Sequence, residues 1–404
     1  MTNSFARASV FRTLINHSKA LIVKERINLL REFSVPLLGG VILALAWANG
    51  APESYDRFLH GRLLGPLSFY FLTNDIFMVF FFGIATVEIT QSFLPGGDLY
   101  PVSKSVNPLL ATAGGVVGPA LVYLMLNQVI GAPELQRGWG IVTATDIAFA
   151  WLVARLIFGK NHPAISFLLL LAVADDGIGL AIIALFYPDP RFPIEPLCLL
   201  LTLAGMLIAY ALRTRRISSY WPYILIGGVL SWAGLFMAHL HPALALVFII
   251  PFLPHAMVEK KHLFEEDIDD RAAMAQFEHE WKIIVDFGLF LFGLANAGVG
   301  FSQVGTVTWL VLLSLLAGKT AGIFAFGSIA VLLGFPMPRG MQKKELLVVG
   351  IIAGFGFTVA LFVAGVAFID PVLQGAAKMG AMLSCVAALI AVMAAKLLKI
   401  RKAG

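Results

Sequence analysis

Charge is what this sequence has least of. Of its 404 residues only 13% are Asp, Glu, Lys or Arg, about half the share typical of soluble domains. A globular fold of this size would lack the polar surface to cover itself, which excludes a soluble enzyme, a disordered chain and a nucleic-acid-binding module. Cysteine is equally scarce. Cys198 and Cys385 lie far apart, each inside an apolar run, so neither a disulfide framework nor a cysteine-held metal cluster is implied. The first 33 residues are mixed and basic; they lack the short apolar core and cleavage site of a signal peptide, and none is expected.

What is abundant is apolar length. Hydrophobic residues make up 59% of the chain, and a helix crossing the hydrocarbon core needs about 20 of them in a row. Breaks at polar, Pro and Gly residues divide the chain into twelve candidate spans. They are centred on 34–50, 69–91, 106–130, 138–157, 163–187, 194–212, 221–239, 241–255, 282–301, 306–334, 345–368 and 376–396. The reading is therefore an all-α integral membrane protein in the lipid bilayer, one transmembrane domain over 1–404, with an N-terminal segment (1–33) and a short tail (397–404). Residues 18–32 mix Lys and Arg with Leu, Ile and Val at helical spacing, the pattern of an amphipathic helix on the membrane surface.

The basic excess of +5 is then an orientation signal and not a polyanion site. Connections on the N-terminal side of the membrane hold 23 of the 29 Lys and Arg residues, those on the other side five, and Lys319 falls inside a span. The positive-inside rule puts both termini in the cytoplasm, as an even number of spans requires. The connection at 259–280 holds eight of the 24 acids, with His255, His262 and His279 in or beside it. It reads as a solvated loop or as a cation-sensing entrance.

Ionisable groups within spans cost about 2.5–3.5 kcal/mol each on insertion scales, so each is a functional candidate. They are Asp75, Glu88, Asp146, Asp175, Asp176, Asp286 and Lys319. Asp175 and Asp176 are adjacent in the middle of the fifth span. Neighbours on a helix point about 100° apart, so one can face a cavity while the other meets a partner helix. Two buried carboxylates resist being ionised together, and their oxygens suit a hard cation. Such a pair holds protons or a cation in competition. Thr145 and Asp146 offer oxygens in the fourth span, and the eleventh carries Gly350, Gly354 and Gly356 before Thr358. Glycines and hydroxyls at mid-depth, once in each half, mark discontinuous helices of inverted-repeat transporters. Exposed half-helix ends need an anion at N-termini and a cation at C-termini, tasks that suit Asp146 and Lys319. Lys319 also needs an acid partner, for which Asp175 and Asp176 are both candidates. Asp75, Glu88 and Asp286 lie nearer the span ends, where wetting or local pairing explains them.

At these residues the sequence resembles the NhaA family of bacterial sodium/proton antiporters. The resemblance rests on Asn74-Asp75, Thr-Asp-Ile-Ala-Phe at 145–149, Asp175-Asp176 before Gly177, and His241 opening span eight. It continues through Phe-Glu-His at 277–279, Ala-Asn-Ala-Gly-Val at 295–299, Gly318-Lys319 and Gly-Phe-Gly-Phe-Thr at 354–358. It implies twelve helices with inverted-topology repeats in spans 3–5 and 10–12, and two discontinuous helices, spans 4 and 11, that cross near Asp146. It further implies Asp176 as the main Na+ and proton ligand, Asp175 as the neighbour pairing with Lys319, and Thr145 and Asp146 as polar residues at the crossing. Glu88, Glu278 and His241 become candidates for a pH response. Exchange of two protons for one Na+ or Li+, a homodimer, the bacterial inner membrane and no cofactor are implied in the same way; the link at 51–68 could form the dimerising hairpin.

Four positions depart from the family's pattern. Glu88 is followed by Ile-Thr-Gln-Ser instead of a basic and acidic cluster, Phe290 stands where a proline is typical, Asp286 takes an apolar site, and Thr320 follows Lys319. The resemblance therefore implies antiport and not a particular pH profile. Of the rivals, an intramembrane aspartyl protease needs its carboxylates on separate helices with a Gly-x-Gly-Asp run, which is absent. A Na+-coupled symporter of an organic solute shares the inverted-repeat logic and would need a solute pocket.

Overall fold

The computed structural model describes residues 35–64, 67–97, 99–100, 102–159, 162–189, 192–255, 272–400 and 402. The amphipathic helix expected at 18–32 and most of the acidic 259–280 connection lie outside the described residues. The helices, whether their turns are α, 3-10 or π, are numbered here in chain order, leaving aside a single 3-10 turn at Phe301–Gln303. They are α1 (Val35–Gly50), α2 (Pro52–His60), α3 (Phe69–Phe93), α4 (Val102–Ile130), α5 (Pro133–Thr143) and α6 (Ile147–Phe158). Then follow α7 (Pro163–Phe186), α8 (Pro196–Thr214), α9 (Tyr223–Met237), α10 (Pro242–Phe252) and α11 (Ala273–Asn296). Last come α12 (Thr306–Leu332), α13 (Lys343–Ala353), α14 (Thr358–Ala367) and α15 (Pro371–Leu397). A two-stranded antiparallel ribbon, β1 (Arg62–Leu64) with β2 (Leu67–Ser68), links α2 to α3.

Among the described residues six helices, α3, α4, α7, α8, α12 and α15, are long and apolar enough to cross a membrane, and α1, α9 and α10 are shorter apolar helices. Counting each of the bent pairs α5/α6 and α13/α14 as one crossing raises six to eight. Large apolar side chains point outward from them, Val129 at 86% and Leu332 at 83% exposure among them. Water would disfavour such a surface and lipid tails accept it. The chain is a multi-pass membrane protein.

Starts are punctuated in the sequence. His162-Pro163-Ala164 and His241-Pro242-Ala243 open α7 and α10 in the same way: proline takes the first helical position, and the histidine Nδ1 accepts the N–H of the alanine (3.1 and 3.4 Å). Asp370 before Pro371 caps α15 through Val372 N–H at 2.9 Å.

α4 and α12 pack backbone against backbone. Gly114 and Gly118 face Gly318 and Gly322, and a Cβ on Gly118 would come within 2.5 Å of the Gly318 carbonyl oxygen. Small residues four apart let two backbones approach in lipid, where apolar area alone gives no drive to associate. This contact fixes α12, and with it Lys319, against the first half of the chain.

Candidate ion-binding site

The site forms where two helices stop short. α5 ends at Thr143 and α6 resumes at Ile147, bent by 56°; α13 ends at Ala353 and α14 resumes at Thr358, bent by 50°. The interrupted backbones hold each other: Asp146 N–H donates to the Phe355 carbonyl at 2.8 Å, and the Thr145 hydroxyl donates to the Ala353 carbonyl at 3.1 Å. Four helix ends meet here, and Thr143, Thr145 and Asp146 between them are buried.

Two side chains supply the missing charge. The Asp146 carboxylate accepts from Phe149 N–H (3.2 Å) at the start of α6, and from Thr358 N–H (3.3 Å) and its hydroxyl (2.6 Å) at the start of α14. A single anion thus faces two helix N-termini. At the opposite polarity, Lys319 Nζ donates to the Thr143 carbonyl, the C-terminal end of α5, at 2.6 Å.

Asp175, on α7, is the acid partner of Lys319. Its Oδ2 accepts from Lys319 Nζ and from the Thr145 hydroxyl, both at 2.7 Å, and neither Asp175 nor Lys319 has any exposed side-chain surface. Asp176 stays outside this pair and is half-buried. The Oδ1 atoms of Asp175 and Asp176 are both buried without a hydrogen-bond partner among the described residues. Buried polar atoms are seldom left without a partner, and two carboxylate oxygens on adjacent residues can take a proton or ligate a hard cation. No group of three or more His, Cys, Asp or Glu side chains suited to a metal ion occurs among the described residues.

The sequence model of the Na+/H+ antiporter 1 family matches residues 28–396. The chain belongs to the Na+/H+ antiporter 1 family. Relatives from the same family include the Na(+)/H(+) antiporter NhaA of Geotalea uraniireducens, 69% identical over 94% of this chain and 98% of its own length. That of Geobacter sulfurreducens is 65% identical over 94% and 100%, and that of a Jannaschia species 40% identical over 93% and 98%.

Around this member of the Na+/H+ antiporter 1 family's central site, the remaining candidates divide. Glu88 and Glu278 are brought together by Lys282, which the sequence suggests only as a local partner for Asp286 four residues on: Lys282 lies 2.9 Å from Glu88 and 3.4 Å from Glu278, and Gln91 donates to Glu278 at 2.8 Å. The base absent after Glu88 is supplied by α11, four residues from Glu278, and that i,i+4 spacing was the available signal. His241 is not part of this cluster; its ring packs on Phe362, 4.6 Å between centroids. Asp75 accepts at its carbonyl from Trp232 Nε1 (2.8 Å) and lines the same cavity as His241. Asp286 lies half-buried on α11.

Lys378 belongs to a helix and not to a connection: although the charge tally counts it among the five basic residues on the far side, it falls within the 376–396 run, lies inside α15 and is only 6% exposed.

Proposed function

We propose that this chain is a secondary active transporter, not an enzyme. It exchanges cytoplasmic Na+ or Li+ for external protons at Asp175 and Asp176, two protons per ion, and serves sodium and pH homeostasis. The observation that carries this reading is the pair of unpartnered carboxylate oxygens beside the Lys319–Asp175 bridge, at the junction of two interrupted helices. Twelve crossings, counting α5/α6 and α13/α14 as one each and including the charged α11, form one transporter domain. Both termini lie in the cytoplasm, and the protein is a homodimer of the bacterial inner membrane.

In this scheme Na+ arriving from the cytoplasm meets Asp176 first, since only Asp176 is free of the lysine bridge. Its arrival displaces the proton of Asp176 and weakens the hold of Asp175 on Lys319. The second proton then leaves the Asp175–Lys319 pair, which titrates as a unit. Thr145 follows Asp175, and Asp146 keeps the two N-termini neutralised while the half-helices reorient. External protons refill both positions and expel the ion. Two protons inward for one Na+ outward moves one net charge, so the membrane potential contributes about 2.3 kcal/mol per 100 mV. Glu88, Lys282 and Glu278 form the candidate pH-responsive cluster, with His241 a separate candidate.

A pH-sensitive dye in proteoliposomes, with Na+, Li+ and K+ added in turn over several pH values, tests the reading. Na+ and Li+ are expected to drive proton movement. Na+ uptake that requires an organic solute, without opposing proton flux, would favour the symporter instead.

A further inference from the structure

A cavity of about 1200 Å3 opens among the links that follow α1, α7, α9, α11 and α14. Its walls hold three carboxylates, Asp56, Asp75 and Asp189, and one lysine, Lys378. Such a wall draws cations in. Lys378 is the exception to that field, and its position is unusual. Pro371, Gln374, Gly375 and Lys378 line the cavity at helical spacing along one face of α15, so Lys378 is the innermost of the four, about 10 Å along the axis from Pro371. Six residues further on, Ser384 accepts the N–H of Gly356 in the break between α13 and α14, at 3.2 Å; that is about 9 Å more of helix. Lys378 therefore stands between the cavity and the helix crossing. It is 6% exposed and forms no ion pair or hydrogen bond with another described residue. A buried ammonium that pairs with no described residue and lines such a cavity acts on any cation that enters it.

We propose that Lys378 is the electrostatic filter of this cavity, its positive charge opposing return of Na+ toward Asp175 and Asp176 from that face. The inference rests on the antiport reading, in which this face is external. Na+ must pass the ammonium as a whole ion. A proton need not, because it moves by transfer between waters and an amine can itself exchange it. One lysine thus separates the two exchanged cations, leaving the protonation route open while discouraging rebinding of released Na+. The three acids of the wall concentrate protons without undoing this, since none of them is paired with Lys378.

The test uses the full chain in proteoliposomes of defined orientation, with Na+ titrated on each face in turn. The unmodified protein is expected to need more Na+ for half-maximal exchange from the cavity face than from the opposite face. Lys378→Gln is expected to lower the cavity-face requirement by the order of tenfold, the effect of one charge at that distance, with the opposite face unchanged. Lys378→Arg, which keeps the charge, is expected to behave as the unmodified protein. Equal requirements on the two faces of the unmodified protein would overturn the proposal even if Lys378→Gln fails to fold. A Lys378→Gln shift that is absent, or alike on both faces, would overturn it too. Na+-driven proton movement that is missing altogether points instead to failure of the antiport reading, and the filter falls with it.

Discussion

Lys319 Nζ lies 2.7 Å from Asp175 Oδ2, and the two side chains are wholly shut off from solvent. Removing one member of a buried pair leaves the other as an uncompensated charge, which costs about 3–5 kcal/mol. Lys319→Ala is therefore expected to lower the melting temperature sharply in detergent. Neutralising both residues, with Asp175→Asn and Lys319→Met together, is expected to recover much of that loss. A double variant as unstable as the sum of the single ones would show that the two do not act as a pair.

Asp176 differs because it has no hydrogen-bond or ion-pair partner to lose among the described residues. Asp176→Asn keeps the shape and removes a carboxylate whose Oδ1 is buried and unsatisfied, so folding stability is expected to hold or rise while transport stops. Na+-dependent pH changes in everted vesicles read the transport, and thermal denaturation of the purified protein reads the stability. Surviving exchange would remove Asp176 from the site.

The glycine contact between α4 and α12 gives a prediction about architecture. A Cβ added at Gly322 collides with the Gly114 carbonyl, with Gly118 also close. Backbone atoms cannot yield as side-chain tips do, and overpacking of this kind costs about 1–3 kcal/mol. Gly322→Ala should thus destabilise the protein. At Gly179, on α7, a Cβ meets nothing within 4 Å, and Gly179→Ala should be tolerated. Melting temperatures of the two variants, compared side by side, check the difference.

The residues of the candidate site were legible in the sequence because a charge in an apolar run is conspicuous whatever it touches. Asp146, Asp175, Asp176 and Lys319 needed only that contrast. The residues alone left Asp175 and Asp176 both open as the partner of Lys319, and only the family resemblance pointed to Asp175, because the choice depends on how α7 is rotated and α7 has no polar face to set that rotation. The bridge from Glu88 through Lys282 to Glu278 spans 194 residues of sequence, and local pattern holds no record of such a contact. Lys378 was misplaced for a simpler reason. It stands only two residues inside the apolar run that begins at 376, where a lysine reads as the edge of a connection, whereas the Asp370-Pro371 cap starts α15 five residues before that run and places Lys378 well within the helix.

His162 carries the pH prediction, and its sign follows from the hydrogen bond it makes. Its Nδ1 accepts the Ala164 N–H at 3.1 Å, capping α7, while its ring stacks on Phe158 of α6, 5.1 Å between centroids. A ring nitrogen accepts only when it carries no proton. Burial lowers the pKa of His162 from the usual 6.5, with Glu345 at the start of α13 pulling weakly the other way. A base whose folded pKa is lowered contributes its full stability above pH 6.5. That contribution drains away as pH falls below 6.5, because the unfolded chain takes up the proton first, and the loss levels off once the folded pKa is passed. His162→Ser keeps a capping acceptor that does not titrate. The melting temperature of the unmodified protein is thus expected to fall more steeply below pH 6.5 than that of His162→Ser, and the two to run parallel above it. Curves that stay parallel throughout would mean that α7, and the carboxylates it carries, do not sense acid through this cap.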